Sequence, residues 1–497
     1  MRRSAAAVLA ALLASCSDPD PEAAAPLRPP AFEPSYVTNA CDERVPDDAR
    51  IECGTLTVLE DRDDPGGPTI RLRVAVVRSA SPTPAPDPVV YFTGGPGAEG
   101  LGVSGRFLGS GITGDRDVIV FDQRGTGRAD PTLECPEVDE AIWTNFGTAA
   151  PVEAELRRTL DAFAACRTRL VAAGVDLDAY DTPTSAADVA DLRTALGIDE
   201  WNLFGVSYGT TLALEVLRSQ PEGVRSAVLD SVYPTTVPGG AEGVYESWRR
   251  ASQLLFDGCA ADPVCSAAYP TFEADFAAVV AELDRVPFVG EIPDPATGEL
   301  RRISLTGADV VAGAFDAMYE EELIPLLPSL VAGLAAGDRS ILPVLAAEGI
   351  PSFTGYADGM ALSVECADRA GIGRVDPDEL VADHPELSTL LTASGNPQAC
   401  ELWDVPPVEG FGEAVRSEVP VLVLAGEYDP VTPPVHGREA AAALGRATYV
   451  EFPALGHGTV FAGDCPGSIF RAFLAQPAAE VDTGCVATMG RPAWVVP

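Results

Sequence analysis

Residues 89–92, 118–121, 202–204, 227–229 and 421–424 form short, almost wholly apolar runs, each bounded by turn residues. A strand with one wet face alternates apolar and polar side chains, whereas unbroken runs of this length suit parallel strands covered on both sides. Helical patterns separate them. The clearest spans 184–196, with leucines and valines at helical spacing and Ser185 and Asp188 at capping positions, and it feeds the run at 202. Such alternation predicts an α/β fold, a mostly parallel sheet with helices on both faces. Two alternating runs, 56–59 and 70–77, flank Asp63-Asp64-Pro65-Gly66-Gly67 and read as a leading hairpin, and 448–452 reads as the last strand. From 235 to 405 the strand pattern stops. Helical candidates at 242–259, 271–283, 308–318 and 323–335 predict an inserted, mainly helical cap domain between two core segments, 36–234 and 406–497.

Charge narrows the chemistry. All 33 basic residues are arginine against 74 acids, a formal charge of −41. A surface this acidic repels nucleic acid and anionic lipid, and neither is expected as a partner. The lack of lysine removes Schiff-base chemistry, a P-loop lysine and a Ser-x-x-Lys pair. At the N-terminus, Arg2 and Arg3, a short apolar stretch and Leu13-Ala14-Ser15-Cys16 resemble a bacterial lipoprotein signal. That resemblance implies a signal peptide over 1–15, a lipid on Cys16, a flexible tether over 16–35 and membrane attachment only through the lipid; plain secretion is the alternative. Setting Cys16 aside leaves ten of the eleven cysteines, an even number that suits an oxidising compartment. They fall as neighbours, and five local bridges are expected: 41 with 53, 135 with 166, 259 with 265, 366 with 400, and 465 with 485.

Gly205-Val206-Ser207-Tyr208-Gly209 follows an apolar run and precedes a helical stretch. In that context Gly-x-Ser-x-Gly is a nucleophile elbow, a sharp turn that lifts the serine clear of the sheet. An alcohol near neutral pH needs a base, and the base needs an orienting carboxylate. Of the three histidines, His457 lies just after the last strand and is the expected base, with His436 as its alternative and His384 in the inserted region. Asp429, in Gly426-Glu427-Tyr428-Asp429-Pro430 after the penultimate strand, is the expected acid, with Glu427 its rival. Thr432 is placed to hydrogen-bond that carboxylate. Thr93-Gly94-Gly95-Pro96-Gly97 after the run at 89 supplies the other requirement of acyl transfer, backbone N–H groups aimed at an oxyanion; Gly95 and Tyr208 are the expected donors. Asp122 and Arg124, in Asp122-Gln123-Arg124-Gly125-Thr126-Gly127, read as stabilisers of their loop.

Gly-Gly-Pro-Gly, Asp-Gln-Arg-Gly-x-Gly, Gly-x-Ser-Tyr-Gly and Gly-Glu-Tyr-Asp-Pro-Val-Thr-Pro, in that order, resemble the proline iminopeptidase and tripeptidyl aminopeptidase group of α/β-hydrolase serine peptidases. The likeness is to its secreted bacterial branch, with a tripeptidyl-aminopeptidase-like C-terminal region. It implies an α/β-hydrolase fold and an exopeptidase acting on peptides with free N-termini, needing no metal or organic cofactor. Thr93 and Arg128 depart from the group's usual His and Ser. An aminopeptidase must hold a protonated amine, and a cap carboxylate would do so through a charge-assisted hydrogen bond; Glu365 and Asp368 are the expected pair, ahead of Glu320, Glu321 and Glu322. A carboxylesterase using the same serine is the alternative function, and a non-catalytic binding protein on a hydrolase scaffold is a third.

Overall fold

The computed structural model describes residues 32–42, 44–238, 240–295, 297–350, 354–369, 384–393 and 397–497. The signal peptide, Cys16 and nearly all of the expected tether lie outside them. In chain order the strands are β1 (Ser35–Asn39), β2 (Ile51–Leu59), β3 (Thr69–Val77), β4 (Val89–Phe92), β5 (Val118–Phe121), β6 (Trp201–Ser207), β7 (Val224–Val232), β8 (Phe288–Pro293), β9 (Leu300–Leu305), β10 (Val421–Gly426) and β11 (Ala447–Phe452). Nine form one sheet in the order β1-β2-β3-β5-β4-β6-β7-β10-β11. Its first strands pair antiparallel, and every pairing from β5 to β11 is parallel.

Side chains alternate across a strand, so an apolar run feeds two cores at once. In β4, Val90 and Phe92 join Leu212, Val189 and Leu444 on one face of the sheet. Val89 and Tyr91 join Phe204, Phe470 and Phe473 on the other. The helices Thr182–Ala195, Tyr208–Ser219 and Pro434–Ala443 cover the first face, and Asp464–Ala475 covers the second.

The segment between β7 and β10 contains the helices Ala241–Ala261, Phe272–Arg285, Gly307–Ala317 and Asp358–Arg369. It also holds an antiparallel hairpin, β8 with β9, that the sequence reading missed. The cause is exposure: five of the six residues in β8 and three of the six in β9 are exposed or only half-buried, which leaves no continuous buried apolar run across the hairpin. This segment meets the carboxyl edge of the sheet through backbone bonds, Ala357 N–H to Gly97 O at 3.0 Å and His457 N–H to Tyr319 O at 3.1 Å. All five local disulfides are present, with Cα separations of 5.1 to 5.8 Å that suit the bond.

The capping expectation for the helix Thr182–Ala195 requires correction. Asp181 is the cap, its carboxylate accepting from Thr184 N–H at 2.7 Å. Asp188 instead receives the fork of Arg124, Nε at 2.8 Å and Nη2 at 2.7 Å, with both side chains sealed from solvent. Arg124 also donates to Glu60 O at 2.9 Å. Asp122 accepts from the backbone of Gly100, Leu101 and Arg128. Both residues therefore hold loops.

Candidate active site

Ser207 ends β6 and caps the helix Tyr208–Ser219 with φ 58° and ψ −128°. A non-glycine residue in that region is strained, and such strain persists only where the surroundings enforce it. The enforcing contacts are steric. A Cβ at Gly205 would lie 2.2 Å from Gly209 O, and one at Gly209 would lie 2.1 Å from Phe92 O. A Cβ at Gly94 would come within 2.8 Å of Ser207 Cβ, so only glycine lets the Thr93–Gly97 loop rest beside the serine. Gln123 Nε2 donates to Thr93 O at 3.1 Å and fixes that loop from behind. Gly95 has φ +111° and faces the same cavity as Ser207. The Tyr208 N–H belongs to the first turn of the helix, where it has no intrahelical acceptor and the helix dipole is positive.

The second cluster grows from the loop after β10. Asp429 is fully buried. Its Oδ1 accepts from Val431 N–H at 3.0 Å and Thr432 N–H at 2.8 Å, and its Oδ2 accepts from Thr432 Oγ1 at 2.7 Å. His457 Nδ1 lies 2.9 Å from the same Oδ2 and 3.1 Å from Thr432 Oγ1. A carboxylate at Nδ1 selects the tautomer that leaves Nε2 free to accept a proton. Glu427 makes a different bond, to Ala454 N–H at 3.2 Å. Beyond the histidine, Gly458 N–H donates to Ser231 Oγ at 2.8 Å, while Thr459 Oγ1 and Val460 N–H reach buried Asp230 at 2.9 and 2.8 Å. The loop carrying His457 is thus tied to the end of β7, next to the strand that ends in Ser207.

Burial is the largest influence on both groups of the pair and opposes charge on each. It is outweighed on His457 by the charge and hydrogen bond of Asp429, helped by Asp230 and Glu320, so the imidazole titrates above its ordinary value. On Asp429 the imidazole and the Thr432 bonds win, and its carboxyl is held below the usual range.

Ser207 and Thr432 line one cavity of about 250 Å³, with Gly95, Glu365, Asp358 and His436 among its other walls. Glu365 accepts from Tyr233 Oη at 3.4 Å and lies 3.8 Å from Arg369 Nε. Asp368 does not join it. Its carboxylate turns into the protein, 3% exposed, and accepts from Thr182 N–H at 3.3 Å and from Thr182 Oγ1. The physical reason is helical spacing: three residues on from Glu365 lies near the same face, but here that position meets the start of the helix Thr182–Ala195 before it meets the cavity. Glu320, Glu321 and Glu322 are absent from the cavity wall; their oxygens lie mutually within 4.8 Å, with Glu320 near enough to act on His457. His436 faces the cavity with Nδ1 buried and unbonded, and burial pushes its titration down to about 4. His384 pairs with Tyr245 Oη at 2.9 Å. Asp358, Tyr233 and Asp230 escaped sequence reading because each is brought in by tertiary packing and none belongs to a local motif.

Residues 87–263 match the family described as alpha/beta hydrolase fold, and residues 391–485 match the one described as TAP-like protein. The chain has the α/β-hydrolase fold and is a serine hydrolase, and its likeness is to peptidases and hydrolases of that fold. It is 25% identical over 464 residues to serine protease Hip1 of Mycobacterium tuberculosis, covering 85% of this chain and 84% of that protein. With the tripeptidyl aminopeptidase of Streptomyces lividans it shares 31% identity over 193 residues, 37% of this chain and 35% of that protein. Carboxylesterase B of Mycobacterium tuberculosis is 27% identical over 471 residues, covering 88% and 86%.

Proposed function

We propose that this protein is a serine exopeptidase that cleaves peptides near free N-termini, with Ser207, His457 and Asp429 as its triad. The observation that carries the reading is one cavity lined by the elbow serine, by Thr432 of the Asp429–His457 cluster and by the carboxylate of Glu365. The named peptidase relatives support it. Ser207 Oγ attacks the peptide carbonyl while His457 Nε2 takes its proton, and the N–H groups of Gly95 and Tyr208 receive the oxyanion. Collapse breaks the C–N bond, and the leaving amine departs with the proton from His457. Water, deprotonated by the same histidine, then hydrolyses the acyl-enzyme and frees the short N-terminal fragment. Glu365 holds the substrate's ammonium group. The segment 235–405 acts as the cap that brings this carboxylate over the serine, and a lipid on Cys16 tethers the enzyme to the cell envelope.

The test uses aminoacyl and tripeptidyl arylamides, free and N-acetylated, against the full protein and Ser207→Ala. The expected result is loss of about 10⁴-fold or more in kcat for the variant, and loss of cleavage for acetylated substrates in the native enzyme. Equal cleavage of blocked and free forms would sink the aminopeptidase reading. It would favour a second one, a carboxylesterase with the same nucleophile, which the likeness to carboxylesterase B supports.

A further inference from the structure

One wall of the cavity is a single helix face. Asp358, Ala361, Leu362 and Glu365 all line it, at the spacing i, i+3, i+4 and i+7 that places side chains on one stripe. Carboxylates thus stand at both ends of an apolar patch, about 10 Å apart along the axis at 1.5 Å per residue. The two ends differ in their company. Glu365 has Arg369 and the Tyr233 hydroxyl beside it, and the Arg369 guanidinium is itself anchored on Pro234 O and Val237 O. Asp358 has no such neighbour: its Oδ2 is buried without a hydrogen-bond partner. The charge acting on it is a second carboxylate, Asp139, whose Oδ1 accepts from Gly355 N–H at 3.0 Å. Asp316 lies beyond, acting with Asp358 on the Tyr356 hydroxyl.

The carboxylate's own backbone N–H is the one hydrogen bond that acts on its titration; a carboxylate oxygen left buried and unbonded at a cavity wall is costly to keep and is relieved by a cation that can enter. Its position limits what that cation is. The residue before Asp358 donates its N–H to Gly97 O at 3.0 Å, and a Cβ at Gly97 would lie 2.9 Å from Ala357 O. Asp358 therefore sits against the Gly95–Gly97 loop, at the opposite end of the stripe from Glu365. Resting on the peptidase reading above, in which Glu365 takes the ammonium terminus, we propose that Asp358 forms a second cation subsite, which takes the protonated side chain of a basic residue within the peptide. The apolar middle of the stripe, Ala361 and Leu362, suits the methylene stem of such a side chain.

Burial and Asp139 push the Asp358 carboxyl up to about 8. The empty subsite is then largely neutral at pH 7, and an entering cation must displace its proton. Preference for a basic side chain should accordingly grow as pH rises toward that value.

The experiment compares free-amine peptide arylamides in which each position in turn carries lysine or its uncharged near-isostere norleucine, at two pH values on either side of neutrality. At one position the native enzyme should favour lysine by about tenfold in kcat/KM, more at the higher pH, and Asp358→Asn should bring that ratio near one. The ratio is internal to each enzyme, so a partly unstable variant still reads. If Asp358→Asn does not fold, Asp358→Ser and the native profile still decide. Absence of lysine preference at every position would overturn the subsite while leaving the peptidase reading intact. A uniform loss on all peptides with the ratio unchanged would move the amine to Asp358 and also overturn it. Failure to cleave any peptide, with a simple acyl ester still hydrolysed, would remove both readings together.

Discussion

At the scale of single residues, the site contains two imidazoles whose surroundings pull them apart. His457 shares a carboxylate oxygen with Thr432 and titrates above its ordinary value, whereas His436 is neutral and its Nδ1 lacks a partner. A base must be poised near the working pH and oriented by a partner, which His457 satisfies and His436 does not. Replacing His457 by alanine should therefore cost about 10⁴-fold or more in kcat, and the same change at His436 about tenfold or less. Steady-state kinetics on one arylamide checks both; the reverse order would reassign the base. The pH profile carries a sign as well. Only the unprotonated imidazole accepts the serine proton, so kcat/KM should rise with pH through a midpoint above the ordinary histidine value of about 6.5. Asp429 is the main cause of that elevation, so Asp429→Asn should lower the midpoint as well as the rate. A midpoint that stays fixed in this variant would show that the limb belongs to another group.

At the scale of elements, the helices of the segment between β7 and β10 bury acids of their own, as β7 buries Asp230. Asp316, on the helix Gly307–Ala317, is pushed up to about 7 by burial alone. Its folded value thus lies above its unfolded one, and the native state retains a proton that the unfolded chain releases from about pH 4 upward. Stability from this group falls as pH rises between those values and is level above about 7. Asp316→Asn removes the titration, so the gap in Tm between variant and native protein should widen in the variant's favour from about pH 5 to about pH 8; thermal unfolding at both pH values measures it, and a constant gap would count against the burial argument. The same segment marks where sequence reading weakens. Parallel strands announce themselves because both faces are covered, and the elbow does so because its glycines are steric necessities within five residues. The hairpin of β8 and β9 exposes Val289 and Leu300, and its pattern matches neither a core strand nor an amphipathic helix. For the candidate site, Asp429 and His457 follow strands and can be named from their place in the order. Asp358 follows a turn, and its place on the cavity wall depends on how its neighbour Ala357 docks on the distant Gly97. Asp368 shows the opposite error, since its charge makes it a candidate for holding an amine and its helical position denies it the cavity.

At the scale of the whole molecule, the balance of 33 arginines against 74 acids leaves a charge of −41 to be accommodated by a single fold. Self-repulsion of that size opposes compaction, and ion pairs answer it only in part. The buried Arg124–Asp188 fork is shielded from salt, but pairs such as Arg71–Asp130 and Arg249–Glu246 have both side chains about three-fifths exposed and contribute little. Adding salt weakens both the repulsion and these exposed pairs. Because the pairs are worth little and the excess charge is large, relief of repulsion should dominate. Tm at neutral pH should accordingly rise when sodium chloride is increased from low millimolar to about 1 M, where the Debye length shrinks to about 3 Å. The same screening should act with the opposite sign on encounter with substrate. A peptide bearing an ammonium terminus is drawn toward an acidic protein at low salt, so kcat/KM for cationic peptides should fall over the range that raises Tm, while a neutral acyl ester should respond far less. Opposite salt slopes for stability and for cationic turnover are a signature that specific ion pairing cannot produce, since pairing would make both fall. A Tm that drops with salt would mean that the exposed arginine pairs outweigh the net charge.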